Sequence, residues 1–153
     1  EIIKWYNQQL VIFEDSFVIL SNGIQFTEHK INHLNGQLML NPCTLQGARQ
    51  DLCIAIIGKG NRNRKIILLV DIIDVIIGSY PDDDIPMMAI VTKSLGTLNF
   101  QIPEDSESWI EALRKVLMFL QMPIPQGMKS VIPSTDNTNS KKSKKNRKTS
   151  TNL

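Results

Sequence analysis

Apolar side chains along the first twenty residues fall at Ile3, Tyr6, Leu10, Phe13, Phe17 and Leu20, in steps of three and four. That spacing draws one stripe along a helix. Ser21-Asn22-Gly23 follows, and glycine just past the last periodic residue is a usual helix stop because it accepts a positive φ. A hairpin around Asn22-Gly23, joining residues 17–20 to residues 24–26, competes with this reading. The length of the periodic stripe favours the helix.

Beyond Gly23 the pattern changes to short β-rich runs, over residues 24–30, 37–40, 52–57, 64–70, 72–77, 87–93 and 97–102. The breakers between them are Asn35-Gly36, Asn41-Pro42, Gly58-Lys59-Gly60, Gly78 with Pro81 to Pro86, and Leu95-Gly96. Near Asp71 one strand passes almost directly into the next. Seven strands without alternating helices predict a closed or nearly closed antiparallel sheet. A last helix follows Pro103, with Glu104, Asp105 and Glu107 suited to its positive end. Its apolar face is Trp109, Ile110, Leu113, Val116, Leu117 and Leu120, and Pro123 forbids continuation. The architecture expected is mainly β: a seven-stranded antiparallel barrel or sandwich, capped by a C-terminal helix anchored by Trp109, with an extra N-terminal helix. The parts are a helix over residues 1–22, the barrel domain over 23–122 and a basic tail over 123–153.

Length and charge refine this picture. At 153 residues the chain fits one domain of ordinary size. No apolar run approaches the ~20 residues that a bilayer-spanning helix needs. Cys43 and Cys53 are too few for a disulfide scaffold, which points to a reducing compartment and two small buried hydrophobes. The sequence begins at Glu1 without a methionine and reads as a piece of a longer chain. Its 17 Lys+Arg and 15 Asp+Glu are unevenly placed: six of the cations lie within residues 140–148. Setting these and Asp136 aside leaves 11 cations against 14 anions over residues 1–135, a formal charge of −3. From Pro133 onward Ser, Thr, Asn and Lys dominate, a composition that reads as disordered. Such a tail either solubilises the domain or attracts an anionic partner: lipid, nucleic acid or an import receptor.

Three stretches resemble a pleckstrin-homology domain: Leu20-Ser21-Asn22-Gly23-Ile24-Gln25-Phe26-Thr27; Lys65-Ile66-Ile67-Leu68 through Asp71-Ile72-Ile73-Asp74-Val75 with Gly78; and Thr97-Leu98-Asn99-Phe100 through Ser108-Trp109-Ile110-Glu111-Ala112-Leu113. Together they span about residues 20–121. The flavour is that of the phospholipase-C-delta type and of the acylated pleckstrin-homology proteins of apicomplexan parasites. The resemblance implies anionic-lipid binding at the open end of the barrel. Members that hold phosphoinositides tightly place Lys at the end of strand one and Lys/Arg-x-Arg in strand two. Lys30 fits the first position, whereas Gln37-Leu38-Met39-Leu40 offers no basic residue.

Loop geometry supplies candidate residues independently. In such a meander the loops after strands one, three and six emerge together and carry Lys30 and His33, then Lys59, Arg62, Arg64 and Lys65, then Lys93. The octapeptide Gly58-Lys59-Gly60-Asn61-Arg62-Asn63-Arg64-Lys65 is the densest cationic cluster ahead of the tail. Arginine offers a planar fork matched to phosphate and lysine a mobile point charge. A solvated hairpin tip is the plainer explanation of any one of these residues. His29 and His33 lie four apart across a strand and turn and are not expected to form a metal pair, and Asp82-Asp83-Asp84 lacks the further ligands of a calcium loop.

Nothing in the sequence groups a nucleophile with a base, so no enzyme, metal or cofactor is expected. The expected function is a peripheral membrane-binding module on the cytosolic face of a membrane, monomeric, recognising phosphatidic acid ahead of a phosphoinositide. A second membrane signal, upstream acylation or the tail, is expected with it. The alternative is a protein-interaction scaffold of the same fold, with a partner at the N-terminal helix. Nucleic acid ranks third, because the barrel lacks a basic and aromatic sheet face.

Overall fold

The stripe of the first twenty residues forms helix α1, Ile2–Ser21, and the competing hairpin does not occur. Tyr6, Phe13, Phe17 and Leu20 turn inward and are almost fully buried. The structure, a computed structural model, describes residues 1–61, 64–79 and 84–123, and of Asn61 only the backbone. Arg62, Pro81, Asp82, Asp83 and the tail from residue 124 therefore lie outside the described residues. Residues Glu1–Met122 form one compact unit.

The strands are β1 Ile24–Ile31, β2 Leu38–Ala48, β3 Cys53–Gly58, β4 Lys65–Leu68, β5 Ile72–Ser79, β6 Pro86–Thr92 and β7 Thr97–Gln101. They form one antiparallel seven-stranded sheet in the order β4-β3-β2-β1-β7-β6-β5. Helix α2, Glu107–Leu120, follows β7.

Two expectations about element boundaries need correction. Asn41-Pro42 does not break the second strand, which runs through eleven residues. Cys43, opposite Gly58, is the first residue of β2 with a partner on β3, so Pro42 lies where β2 is flanked by β1 alone. Proline is tolerated at such an edge, because a missing N–H costs no ladder bond on the open side. The second correction concerns α2, which begins at Glu107 and not near Pro103. Asp105 takes a φ of 63°, outside helical geometry, and Ser106 Oγ donates to the Pro103 carbonyl instead of capping the helix.

α2 is buried on two sides. Trp109, Ile110, Leu113 and Val116 are buried as expected, but so are Ala112 and Phe119, whereas Leu120 is only half-buried. The reason is α1, which lies against α2: Phe119 stacks 4.6 Å from Phe13 and 5.4 Å from Tyr6, centroid to centroid. α1 also touches β2 at Gly47, where an added Cβ would stand 2.7 Å from Leu20 Cβ. Only glycine allows that approach. Glu14 and Arg49 clamp the same contact with two N–H···O bonds of 3.1 and 2.9 Å, and the guanidinium lies 5.0 Å above the Phe13 ring.

Candidate functional site

β1 and β2 leave the sheet as a hairpin whose tip is built by side-chain amides. Asn32 Oδ1 accepts from the Leu34 N–H, and Asn35 Oδ1 from the Gln37 N–H, each at 2.9 Å. Gly36 takes a φ of +74°, and its N–H reaches the Asn32 carbonyl at 2.7 Å. These Asx turns hold His33 and Leu34 at the apex. Leu34 is 96% exposed, and Ile31, Leu38 and Leu40 beside it are each more than half exposed. An apolar hairpin tip in open water is uncommon.

Side chains alternate along β1, so Phe26, Glu28 and Lys30 share the inward face and His29 the other. Opposite them in register stand Cys43, Asn41 and Met39 on β2. This face opens at the barrel mouth into a cleft of about 430 Å³, lined by Glu28, Lys30, Asn41, Cys43, Lys59 and Lys65, among others. Three lysines from β1, from the turn after β3 and from the start of β4 thus meet in one concavity. That volume lies within the range of small-ligand sites.

The other candidates are placed differently. Arg64 is exposed just ahead of β4 and His33 is exposed on the hairpin tip; neither lines the cleft. Arg62 lies outside the described residues. Lys93 lines a separate hollow with Leu69, Val70, Leu117 and Leu120, beside α2. Its N–H donates to the Asp71 carbonyl at 2.9 Å, and the neighbouring Ser94 hydroxyl donates to the Asp71 carboxylate, which fastens the β6–β7 turn there. Lys93 is therefore not part of the three-lysine group. His29 is buried, with Nε2 3.2 Å from Gln101 Oε1.

Glu28 is the residue that the sequence analysis missed. It is 6% exposed, and its Oε2 has no hydrogen-bond partner among the described residues. Among the described residues the Glu14–Arg49 contact is the one ion pair, so no lysine of the cleft touches the carboxylate. The available signal was its parity with Phe26 and Lys30 on a strand. Beside it, burial pushes the Cys43 thiol up to about 11, with the Glu28 charge acting in the same direction. Burial likewise raises Cys53, reinforced by the Asp51 charge. Among the described residues no group of His, Cys, Asp and Glu could hold a metal ion, and no helix is long and apolar enough to cross a membrane.

The sheet order, the capping helix and the mouth formed by the β1–β2 and β3–β4 connections define a pleckstrin-homology-like fold. The PH domain from TgAPH superposes over 72% of this chain and 93% of its own, with 15% identity and a TM-score of 0.51. Inner Membrane Complex Sub-compartment Protein 3 (ISP3) from Toxoplasma gondii covers 72% of this chain and 86% of its own, with 17% identity and a TM-score of 0.46. No family model and no curated protein matches the sequence. The likeness to the PH domain from TgAPH supports the fold and does not extend to the phospholipase-C-delta subtype expected from the sequence.

Proposed function

We propose that this protein is a peripheral membrane-binding module whose barrel mouth receives the headgroup of an anionic phospholipid. The observation that carries the reading is the juxtaposition of two unlike surfaces. Lys30, Lys59 and Lys65 line one cleft, and the hairpin that begins one residue beyond Lys30 exposes Ile31, Leu34, Leu38 and Leu40. Ammonium groups at headgroup level and leucines at acyl-chain level are the two terms of interfacial binding. Each cation near an anionic surface contributes ~1 kcal/mol, and each buried leucine about 1.5–3 kcal/mol.

Three ammoniums, with no basic residue on β2 over Leu38–Ala48, support a headgroup with one phosphate over a polyphosphorylated inositol. Phosphatidic acid is the smallest such headgroup. The test is vesicle sedimentation of the full chain. Changing Lys30, Lys59 and Lys65 together to Glu lowers affinity by roughly two orders of magnitude or more, at ~1 kcal/mol per cation, and leaves thermal unfolding nearly unchanged. Unaltered sedimentation overturns the reading.

One observation favours a second role, as a protein-interaction scaffold. Trp5, Ile12 and Ile19 recur every seven residues along α1 and are 46%, 41% and 37% exposed. A partner bound there would be insensitive to salt, whereas phosphate contacts weaken as salt rises.

A further inference from the structure

An uncompensated carboxylate does not belong in a cleft that receives only phosphate. Glu28 lines the three-lysine cleft, is more than nine-tenths buried and leaves Oε2 without a donor among the described residues. Burying a carboxylate oxygen without a hydrogen bond is costly, and among the described residues no donor reaches Oε2 to relieve that cost. An apolar residue at this position would continue the inward face begun by Phe26 at lower cost. The carboxylate therefore calls for a ligand that donates to it.

We propose that the cleft selects a phosphodiester headgroup bearing an ammonium next to its phosphate, the chemistry of phosphatidylserine. This rests on the reading of the mouth as a headgroup site and narrows it. A doubly charged phosphomonoester would set its full charge against Glu28. A phosphoserine diester presents two anions, phosphate and carboxylate, to Lys30, Lys59 and Lys65, and one cation to Glu28. Both kinds of contact are charge-assisted hydrogen bonds, stronger than those a hydroxyl headgroup such as glycerol makes to the same carboxylate. The phosphate then serves two of the lysines, the ligand carboxylate the third, and the ammonium Glu28.

The experiment compares phosphatidylcholine vesicles containing equal fractions of phosphatidylserine, phosphatidylglycerol or phosphatidic acid, using the full chain. Phosphatidylserine binds at least tenfold more tightly than phosphatidylglycerol, which carries the same net charge. Glu28→Gln keeps the shape, brings the two within about twofold and strengthens binding to phosphatidic acid. Soluble glycerophosphoserine releases the protein from phosphatidylserine vesicles, whereas glycerophosphoglycerol at the same concentration does not. Equal binding to phosphatidylserine and phosphatidylglycerol by the unaltered chain overturns the inference and leaves the membrane reading standing. Loss of binding to every anionic vesicle overturns both. A preference that survives Glu28→Gln, or that glycerophosphoserine cannot compete away, places the selection outside the cleft and also overturns the assignment. The comparison on the unaltered chain does not depend on the variant folding.

Discussion

The indole N–H of Trp109 donates to the main-chain carbonyl of Leu20 at 3.3 Å. Leu20 is the penultimate residue of α1, and its carbonyl, which also accepts from the Gly23 N–H at 3.3 Å, takes the indole as a second donor. Trp109 also meets Phe26 of β1 edge-on at 5.4 Å. One side chain therefore ties both helices to the strand that carries Glu28 and Lys30. Trp109→Ala should destabilise the fold by about 3–5 kcal/mol. Trp109→Phe keeps part of the ring contact and loses the hydrogen bond, worth about 1 kcal/mol. Denaturant midpoints of the two variants separate packing from hydrogen bonding.

The contact between Gly47 and Leu20 makes a sharper prediction. Gly47→Ala puts a methyl where 2.7 Å is available, and the displacement should cost about 1–3 kcal/mol. At Gly78 an added methyl meets nothing within 4 Å among the described residues and the φ is not positive, so Gly78→Ala serves as the matched control with little change. Urea titrations of both report whether α1 is held by this approach.

Glu14 and Arg49 add a pH-dependent component. The hydrogen bond to Arg49 holds the Glu14 carboxyl below its ordinary value of 4.5. The folded value is the lower one, so the contribution is complete above 4.5 and is lost as pH falls through the lowered value. The pair is 36% and 48% exposed, so solvent screening keeps it under about 1 kcal/mol. Glu14→Gln should flatten that part of the acid limb of stability. Arg49→Ala should be more damaging, because the guanidinium also covers the Phe13 ring. Thermal unfolding between pH 3 and pH 7 measures both.

Leu34 allows the apolar part of membrane binding to be tested alone. Being 96% exposed, it contributes almost nothing to the folded state in water. Leu34→Ser should leave the melting temperature unchanged and weaken vesicle binding by roughly tenfold or more, since burying a leucine is worth about 1.5–3 kcal/mol. Equal binding by the variant would mean that the tip stays in water.

Cys43 reports on the interior of the cleft. With the thiol pushed up to about 11, the thiolate that reacts with iodoacetamide is scarce at pH 8. Labelling followed by mass spectrometry should be far slower in the native protein than in urea. Rapid native labelling would show that the cleft admits water more freely than the geometry indicates.

The periodicities of α1 and of Trp109 to Val116 translate into buried faces, except that Ile3 at the start of α1 is exposed and Leu10 only half-buried. Phe119 and Ala112 escaped because they face a second layer, and no single-face pattern announces a helix packed on both sides. Pro42 misled for a related reason: proline reads as a breaker until the third strand is known to stop short of it. Lys30, Lys59 and Lys65 were legible as charges on loops sharing one end of a meander. Lys93 was not, since its direction is set by Asp71, 22 residues earlier in the chain. Ile31, Leu38 and Leu40 looked like ordinary strand residues, because only the outline of the sheet reveals that nothing covers them.

β2 has a consequence for how the molecule could be loaded. At about 3.3 Å per residue, it forms a strut on which Leu38, beside the bare hairpin, and Gly47, beneath α1, stand roughly 30 Å apart. Anything gripping the helical layer and anything gripping the hairpin would then occupy separate footholds on the same beam, and both could hold at once.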